Sequence, residues 1–292
     1  MKKTYYNQKK TKSIALIIGE STGVDCLKQL ISKRYMSISY VICSDKKYEN
    51  LVKTICKKNN VFFYSKKHLT NNFNKFKILS KKSDLLVSIY SNIILNKKYL
   101  KFFKFKCFNI HPGILPYYPG KNCVSGSIFN KEKNIGSSIH QMTTKIDGGD
   151  IILIKKTSLN KNDSLFIAMN KLRNTTKDVF EKFIKKKLNK KKINLIKNNP
   201  AKIKKFPKYI PNNGKLNREW DLNYFNKLFK AGDTGPFKSE WGRINFLYKK
   251  QKKEIRQIIS IKRSKKKQKI FKVSDERFQI CITDYKILVK AF

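Results

Sequence analysis

Short apolar runs alternate with amphipathic stretches along the first half of this chain. Residues 13–19 (SIALIIG), 37–43 (SISYVIC), 61–64 (VFFY), 85–90 (LLVSIY) and 107–110 (CFNI) are runs of strand length. Near-continuous apolar runs suit strands buried on both faces rather than strands with one wet side. Between them, residues 24–33 set Val24, Leu27, Leu30 and Ile31 on one face at helical spacing, and 48–58 and 96–103 read as further helices. Residues 20–23 read as a tight turn. The alternation predicts an α/β fold, a Rossmann-like, mostly parallel sheet with helices on both faces. Ligands of such sheets bind beyond the carboxyl ends of the strands, and the segment starting at Asn109 lies at such an end.

The second half has a different rhythm. Residues 137–142 and 150–155 read as strands, and 164–188 as a long helix. Ser164 can cap that helix, and Leu165, Met169, Leu172, Val179, Phe180 and Phe183 form its apolar stripe. Residues 189–212, rich in Lys, Asn and Pro, read as linker. A short helix at 222–230 and a Gly/Pro turn at 232–237 follow. Five short runs at 244–248, 255–261, 270–273, 278–282 and 287–289 then predict a small barrel-like β module. The resulting organisation is a basic tail (1–12), a first domain (13–190), a linker (191–212) and a C-terminal β-rich module (213–292).

Composition adds one question and closes two others. The chain of 292 residues carries 67 Lys and Arg against 19 Asp and Glu, a formal charge of +48. A polyanion partner is the direct reading. Only seven of those basic residues are Arg, however, and Asn, Ile, Phe and Tyr are abundant too, as a biased codon usage produces. Specific phosphate and base recognition favours Arg forks, so most of the charge is ascribed to coding bias. Six cysteines, none in a C-x-x-C spacing, and three scattered histidines form no zinc pattern. They read as buried free thiols of a reducing, cytoplasmic setting, and no metal is expected. No apolar run is long enough to span a bilayer, so no membrane partner is expected.

The candidate chemistry lies in FNIHPGILPYYPG at 108–120 and GSSIHQMTTKIDGGDII at 136–152. Attack of an amine on an acyl carbonyl puts negative charge on oxygen and requires a proton to leave the incoming ammonium. Asn109 can donate to that oxygen. His111 can donate or move a proton near neutral pH. Asp147 can orient the imidazole or a water and raise the imidazole pKa. Asn109 and His111 are two apart, so on a strand they point to the same side. His68 has no evident partner and reads as a surface residue. The turn at 19–23 lacks a full phosphate-binding glycine fingerprint and reads as an ordinary strand-to-helix turn.

At these residues the chain resembles the tetrahydrofolate-dependent formyltransferase family, which includes methionyl-tRNA, glycinamide ribonucleotide and amino-sugar N-formyltransferases. The matching positions are Asn109, His111 and Pro112; Leu115 and Pro116; Tyr118 and Gly120; Gly136 and His140; Asp147 and Gly149. The resemblance implies Asn109, His111 and Asp147 as catalytic residues and 10-formyltetrahydrofolate as donor. It implies donor contacts at Ser88, Ile89, Tyr90, Ile94, Leu95, Leu115 and Pro116, and acceptor contacts at Tyr118, Gly120 and His140. Departures from the family's groups bear on the acceptor. Gly113 stands where methionyl-tRNA enzymes usually carry Ser, Gly126 where an aromatic is common in the sugar group, and Ser137–Ser138 replace a Val-Thr pair. The expected acceptor is the primary amine of a nucleotide-linked amino sugar. Initiator tRNA is the alternative, then glycinamide ribonucleotide, and last a nucleic-acid-binding relative without catalysis.

Overall fold

The computed structural model describes residues 12–70, 73–103, 106–188, 194–264 and 270–292. Most of the predicted basic tail, the start of the predicted linker and most of the Lys run at 262–269 lie outside the described residues. Two compact units emerge, each assembled from three stretches of chain.

The first unit, 1–119 with 136–155 and 173–201, holds a seven-stranded sheet. Its strands are β1 (Ser13–Ile18), β2 (Ser37–Cys43), β3 (Phe62–Ser65), β4 (Leu85–Ile89), β5 (Cys107–His111), β6 (Asn134–Gln141) and β7 (Ile151–Ser158), in the order β3-β2-β1-β4-β5-β6-β7. β1 to β5 pair in parallel and β6 returns antiparallel beside β5. The helices are α1 (Glu20–Lys33), α2 (Glu49–Lys58), α3 (Lys66–Thr70), α4 (Phe73–Ser80), α5 (Lys97–Phe102), α6 (Cys123–Phe129), α7 (Leu165–Leu188) and α8 (Leu222–Gly232). α6, α8 and the start of α7 belong to the second unit.

The strand alternation decides the packing. Ala15, Ile17, Tyr40, Ile42, Leu86 and Cys107 form one face and pack on Phe76, Leu79, Leu100 and Phe103 of α4, α5 and their flanks. Residues one step away face the other side, where the ring of Phe108 lies 5.0 Å from that of Phe183 of α7. Helices therefore cover both faces, as expected for strands this apolar. α1 is tied to α7 by the ion pair of Asp25 with Arg173 and by Gln29 and Tyr35 on Glu181.

Several local expectations are corrected. Residues 20–23 are the first turn of α1 rather than a separate turn, with Gly19 in extended conformation at its N-cap. The amphipathic residues of α4 are too few to announce a helix, and α6 is buried nearly all round, which erases its periodicity. His68 is on the surface but not alone: its Nδ1 accepts from the Ser65 backbone N–H at 3.2 Å. The predicted linker is partly strapped down, with Ile196 paired to Ile151. All six cysteines are free and buried, and burial pushes the thiols of Cys56 and Cys107 up to about 12.

The second unit contains an antiparallel five-stranded sheet curled as a half-barrel: β8 (Asn245–Tyr248), β9 (Gln251–Arg263), β10 (Phe271–Ser274), β11 (Arg277–Ile282) and β12 (Tyr285–Ala291), in the order β10-β11-β12-β9-β8. Phe278 anchors its inner face between the rings of Phe246 and Tyr248. Trp241 is fully buried and donates Nε1–H to the Pro207 carbonyl. Buried Arg243 donates to Thr234, Gly235 and Phe237, which fixes the loop that the sequence marked as a turn. No helix among the described residues is long and apolar enough to cross a membrane.

Candidate active site

β5 carries Asn109 and His111 to the carboxyl end of the parallel strands. β6 runs beside it with His140 opposite Asn109 and Ser138 opposite His111, so four polar side chains share one face. The connection from β6 to β7 delivers Asp147. Its carboxylate stands between two imidazoles, with Oδ2 3.3 Å from His111 Nδ1 and Oδ1 3.2 Å from His140 Nε2. Asn109 Nδ2 donates to Asp147 Oδ1 at 3.3 Å and approaches His140 Nε2 at 3.1 Å.

Backbone carbonyls fix the tautomers. A carbonyl oxygen only accepts, so His111 Nε2, 2.7 Å from the Tyr118 oxygen, carries a proton. The neutral ring then turns an unprotonated Nδ1 to Asp147. His140 Nδ1 donates to the Gln141 carbonyl at 2.9 Å, which leaves its Nε2 as acceptor for the Asn109 amide. The Tyr118 oxygen reaches His111 because the chain turns back at once: Tyr117 and Tyr118 N–H both donate to the Ile114 carbonyl. Ser138 Oγ holds this loop from beneath, donating to the Gly113 carbonyl at 2.7 Å and accepting from Leu115 N–H at 3.0 Å.

Burial dominates the electrostatics of His111. It pushes the imidazole below its ordinary value; Asp147 and the Tyr118 carbonyl pull the other way, and His140 pushes down. The sequence-based expectation that Asp147 raises this pKa is right for the pair and wrong for the sum, because a ring 4% exposed loses most of its hydration. His111 is therefore neutral at pH 7. Its folded pKa lies below the unfolded value of 6.5, so the unfolded state binds more protons in that interval. Stability is full above about pH 6.5 and is lost as pH falls toward the folded pKa. Urea midpoints measured from about pH 7 to about pH 5 are expected to fall more steeply for the wild type than for His111→Gln. Parallel curves would contradict a neutral buried ring.

The other expected site residues are distributed unevenly. Ser88, Ile89 and Leu95 are buried, and the Tyr90 hydroxyl bonds Thr176 at 2.9 Å, so this stretch presents backbone and the 70% exposed Ile94 outward. Leu115 is buried and contributes its N–H to Ser138. The Tyr118 ring is 2% exposed, and its carbonyl joins the cluster instead. Gly120 has φ 79° and falls in the second unit. Two groups were not foreseen. Ser138 stands out in the sequence only as half of a pair that departs from the family, with no role attached to it. Asn198, within the predicted linker, donates Nδ2–H to the carbonyls of Asp147 and Gly149. No periodicity or motif marks Asn198.

A protein-family model described as formyl transferase matches residues 11–184. The bifunctional polymyxin resistance protein ArnA of Wigglesworthia glossinidia brevipalpis is 29% identical over 212 residues, 72% of this chain and 32% of that protein. A methionyl-tRNA formyltransferase of Ehrlichia ruminantium (strain Gardel) is 30% identical over 123 residues, 42% of this chain and 41% of the relative. The chain thus spans well under half the length of these curated relatives. Among solved structures, that of WlaRD, a sugar 3N-formyl transferase in the presence of dTDP and 5-N-formyl-THF, superposes with a TM-score of 0.69. It covers 97% of this chain and 98% of the other at 17% identity, a likeness of fold. The family model takes in the sheet, the β5 strand end and the Asp147 turn, and on that match the chain belongs to the formyl transferase family.

Proposed function

We propose that this protein is an N-formyltransferase that moves a formyl group from 10-formyltetrahydrofolate to the primary amine of a nucleotide-linked amino sugar. The observation that carries the reading is the Asp147 carboxylate held between two imidazoles, with the half-exposed Asn109 amide at its edge. An acceptor bound as its ammonium must lose a proton before its nitrogen can attack, and Asp147 takes that proton. From its carboxylate the proton passes to His111 Nδ1, the ring nitrogen left free by the bond to Tyr118, and then to the folate nitrogen as the bond from that nitrogen to the formyl carbon breaks and tetrahydrofolate leaves. Asn109 gives up its bond to Asp147 as that carboxylate takes the proton, and donates the freed N–H to the oxygen that gains negative charge. His140 Nε2 accepts from the Asn109 amide and so fixes it beside Asp147 across the β5–β6 pair.

The donor, when bound, supplies the formyl carbon. Its side of the site is assigned to the backbone of 88–95, with Ile94 exposed there, and to Leu115–Pro116. The turn that fixes those two residues also fixes His111. A fold match along nearly the whole chain to a sugar 3N-formyl transferase supports the sugar acceptor. Methionyl-tRNA formylation is the second reading, favoured by the +48 charge and by the named relative.

The test is release of tetrahydrofolate on mixing the protein and 10-formyltetrahydrofolate with a dTDP-linked amino sugar, initiator methionyl-tRNA or glycinamide ribonucleotide. The sugar is expected to give the fastest turnover, and no turnover with any amine would sink the proposal. Salt separates the two leading acceptors. Use of a tRNA is expected to weaken by roughly a thousandfold between about 50 and about 200 mM salt, and use of the sugar by only a few-fold.

A further inference from the structure

We propose that Asn198 is a positioning residue for the Asp147 carboxylate, supplied by a segment that lies beyond the stretch the family model covers. Asp147 has φ 49°, in the left-handed region that L residues rarely occupy. Something must hold it there, because the direction of its carboxylate depends on that backbone conformation. The Asn198 side chain does so from outside the turn: Nδ2 donates to the Asp147 carbonyl at 2.6 Å and to the Gly149 carbonyl at 3.0 Å. One amide group thus brackets Gly148 and fixes both ends of the turn. The Asn198 backbone N–H adds a bond to Asp150 Oδ1 at 3.4 Å, and the Ile151–Ile196 pair, bonded in both directions at 2.8 Å, sets the register that brings Asn198 there.

From within, the turn is closed by the sheet. A side chain at Gly149 would lie 1.8 Å from the Gln141 carbonyl, so the backbone cannot relax inward. Outward movement is opposed by Asn198. Both carbonyls it binds are main-chain acceptors. The substitution Asn198→Asp exchanges the donating amide for a carboxylate of nearly the same shape that can only accept, so it removes the hold without removing volume. Asn198 is partly exposed, and its replacement threatens the fold little.

The inference rests on the catalytic role proposed for Asp147, so its test has a readout that does not need turnover. In Asn198→Asp and Asn198→Ala, kcat is expected to fall roughly tenfold to a hundredfold while donor KM changes by less than about threefold, the pattern of a displaced reacting group. The three histidines of the chain give a small set of ring signals by nuclear magnetic resonance. Those of His111 and His140 are expected to shift in both variants and that of His68 to stay. Asn199→Ala is the control: Asn199 is exposed and only accepts from Ala201 N–H at 3.0 Å. It is expected to leave kcat and all three ring signals unchanged. Unmoved His111 and His140 signals in both Asn198 variants, or equal shifts in Asn199→Ala, overturn the inference whether or not the protein transfers formyl groups. Shifted signals with no turnover in any form of the protein, wild type included, uphold the positioning role and reject the proposed reaction.

Discussion

Asp147→Asn is expected to lower turnover by roughly a hundredfold or more while the protein stays folded, as loss of a group acting in the transition state does. The substitution isolates charge and basicity. Asn is close to Asp in shape and tolerates the left-handed conformation that position 147 adopts at φ 49°. The turn therefore persists, and with it the carbonyl that Asn198 binds. What disappears is the acceptor between the two imidazoles. His111 Nδ1 and His140 Nε2 then face an amide in place of a carboxylate, and the route for the ammonium proton is cut. The measurement is tetrahydrofolate release with the best acceptor, beside a thermal midpoint within a few degrees of wild type. Unchanged turnover would remove Asp147 from the mechanism.

Replacing Gly113 by Ala is expected to cost about a hundredfold in turnover and about 1–3 kcal/mol in stability. A side-chain carbon at this position would lie 2.6 Å from His111 Nε2 and 2.6 Å from the Tyr118 carbonyl oxygen, the donor and acceptor of a single hydrogen bond. Neither atom is free to give way. The ring is 4% exposed and confined by its surroundings, and Tyr118 is held by the turn onto Ile114. Methionyl-tRNA enzymes, by the resemblance, usually carry Ser at this place, and Gly113→Ser is expected to be no better tolerated than Ala. Ring signals from His111, together with kcat, check the prediction. A Gly113→Ala protein with wild-type turnover and stability would mean that the His111–Tyr118 bond is dispensable.

Some of this was legible in the linear pattern, and for a simple reason. The runs at β1, β2, β4 and β5 are mostly apolar because their buried stretches are covered on both faces, with α4 and α5 on one side and α7 reaching Phe108 of β5 on the other. Burial on two sides writes itself into consecutive residues. The 108–120 and 136–152 motifs were equally plain, because Pro and Gly at fixed places constrain local geometry. Asn109 and His111, two residues apart on one strand, needed only the strand period to share a face.

What the pattern did not reveal was decided by contacts between residues far apart in number. α6 carries no amphipathic stripe because nearly every side is buried. The resemblance assigns Tyr118 to the acceptor, yet the tertiary turn buries its side chain and turns its carbonyl to His111. The imidazole pKa followed burial rather than the nearest charge, since hydration is lost to the whole surroundings and not to one neighbour. Asn198, in a segment read as linker, reaches back across about fifty residues to hold Asp147. Sequence by itself determined the strands, the motif and the chemistry within reach. Only the tertiary structure decided which nitrogen faces which oxygen, because hydrogen bonds between distant segments depend on register and turn geometry that no local preference encodes.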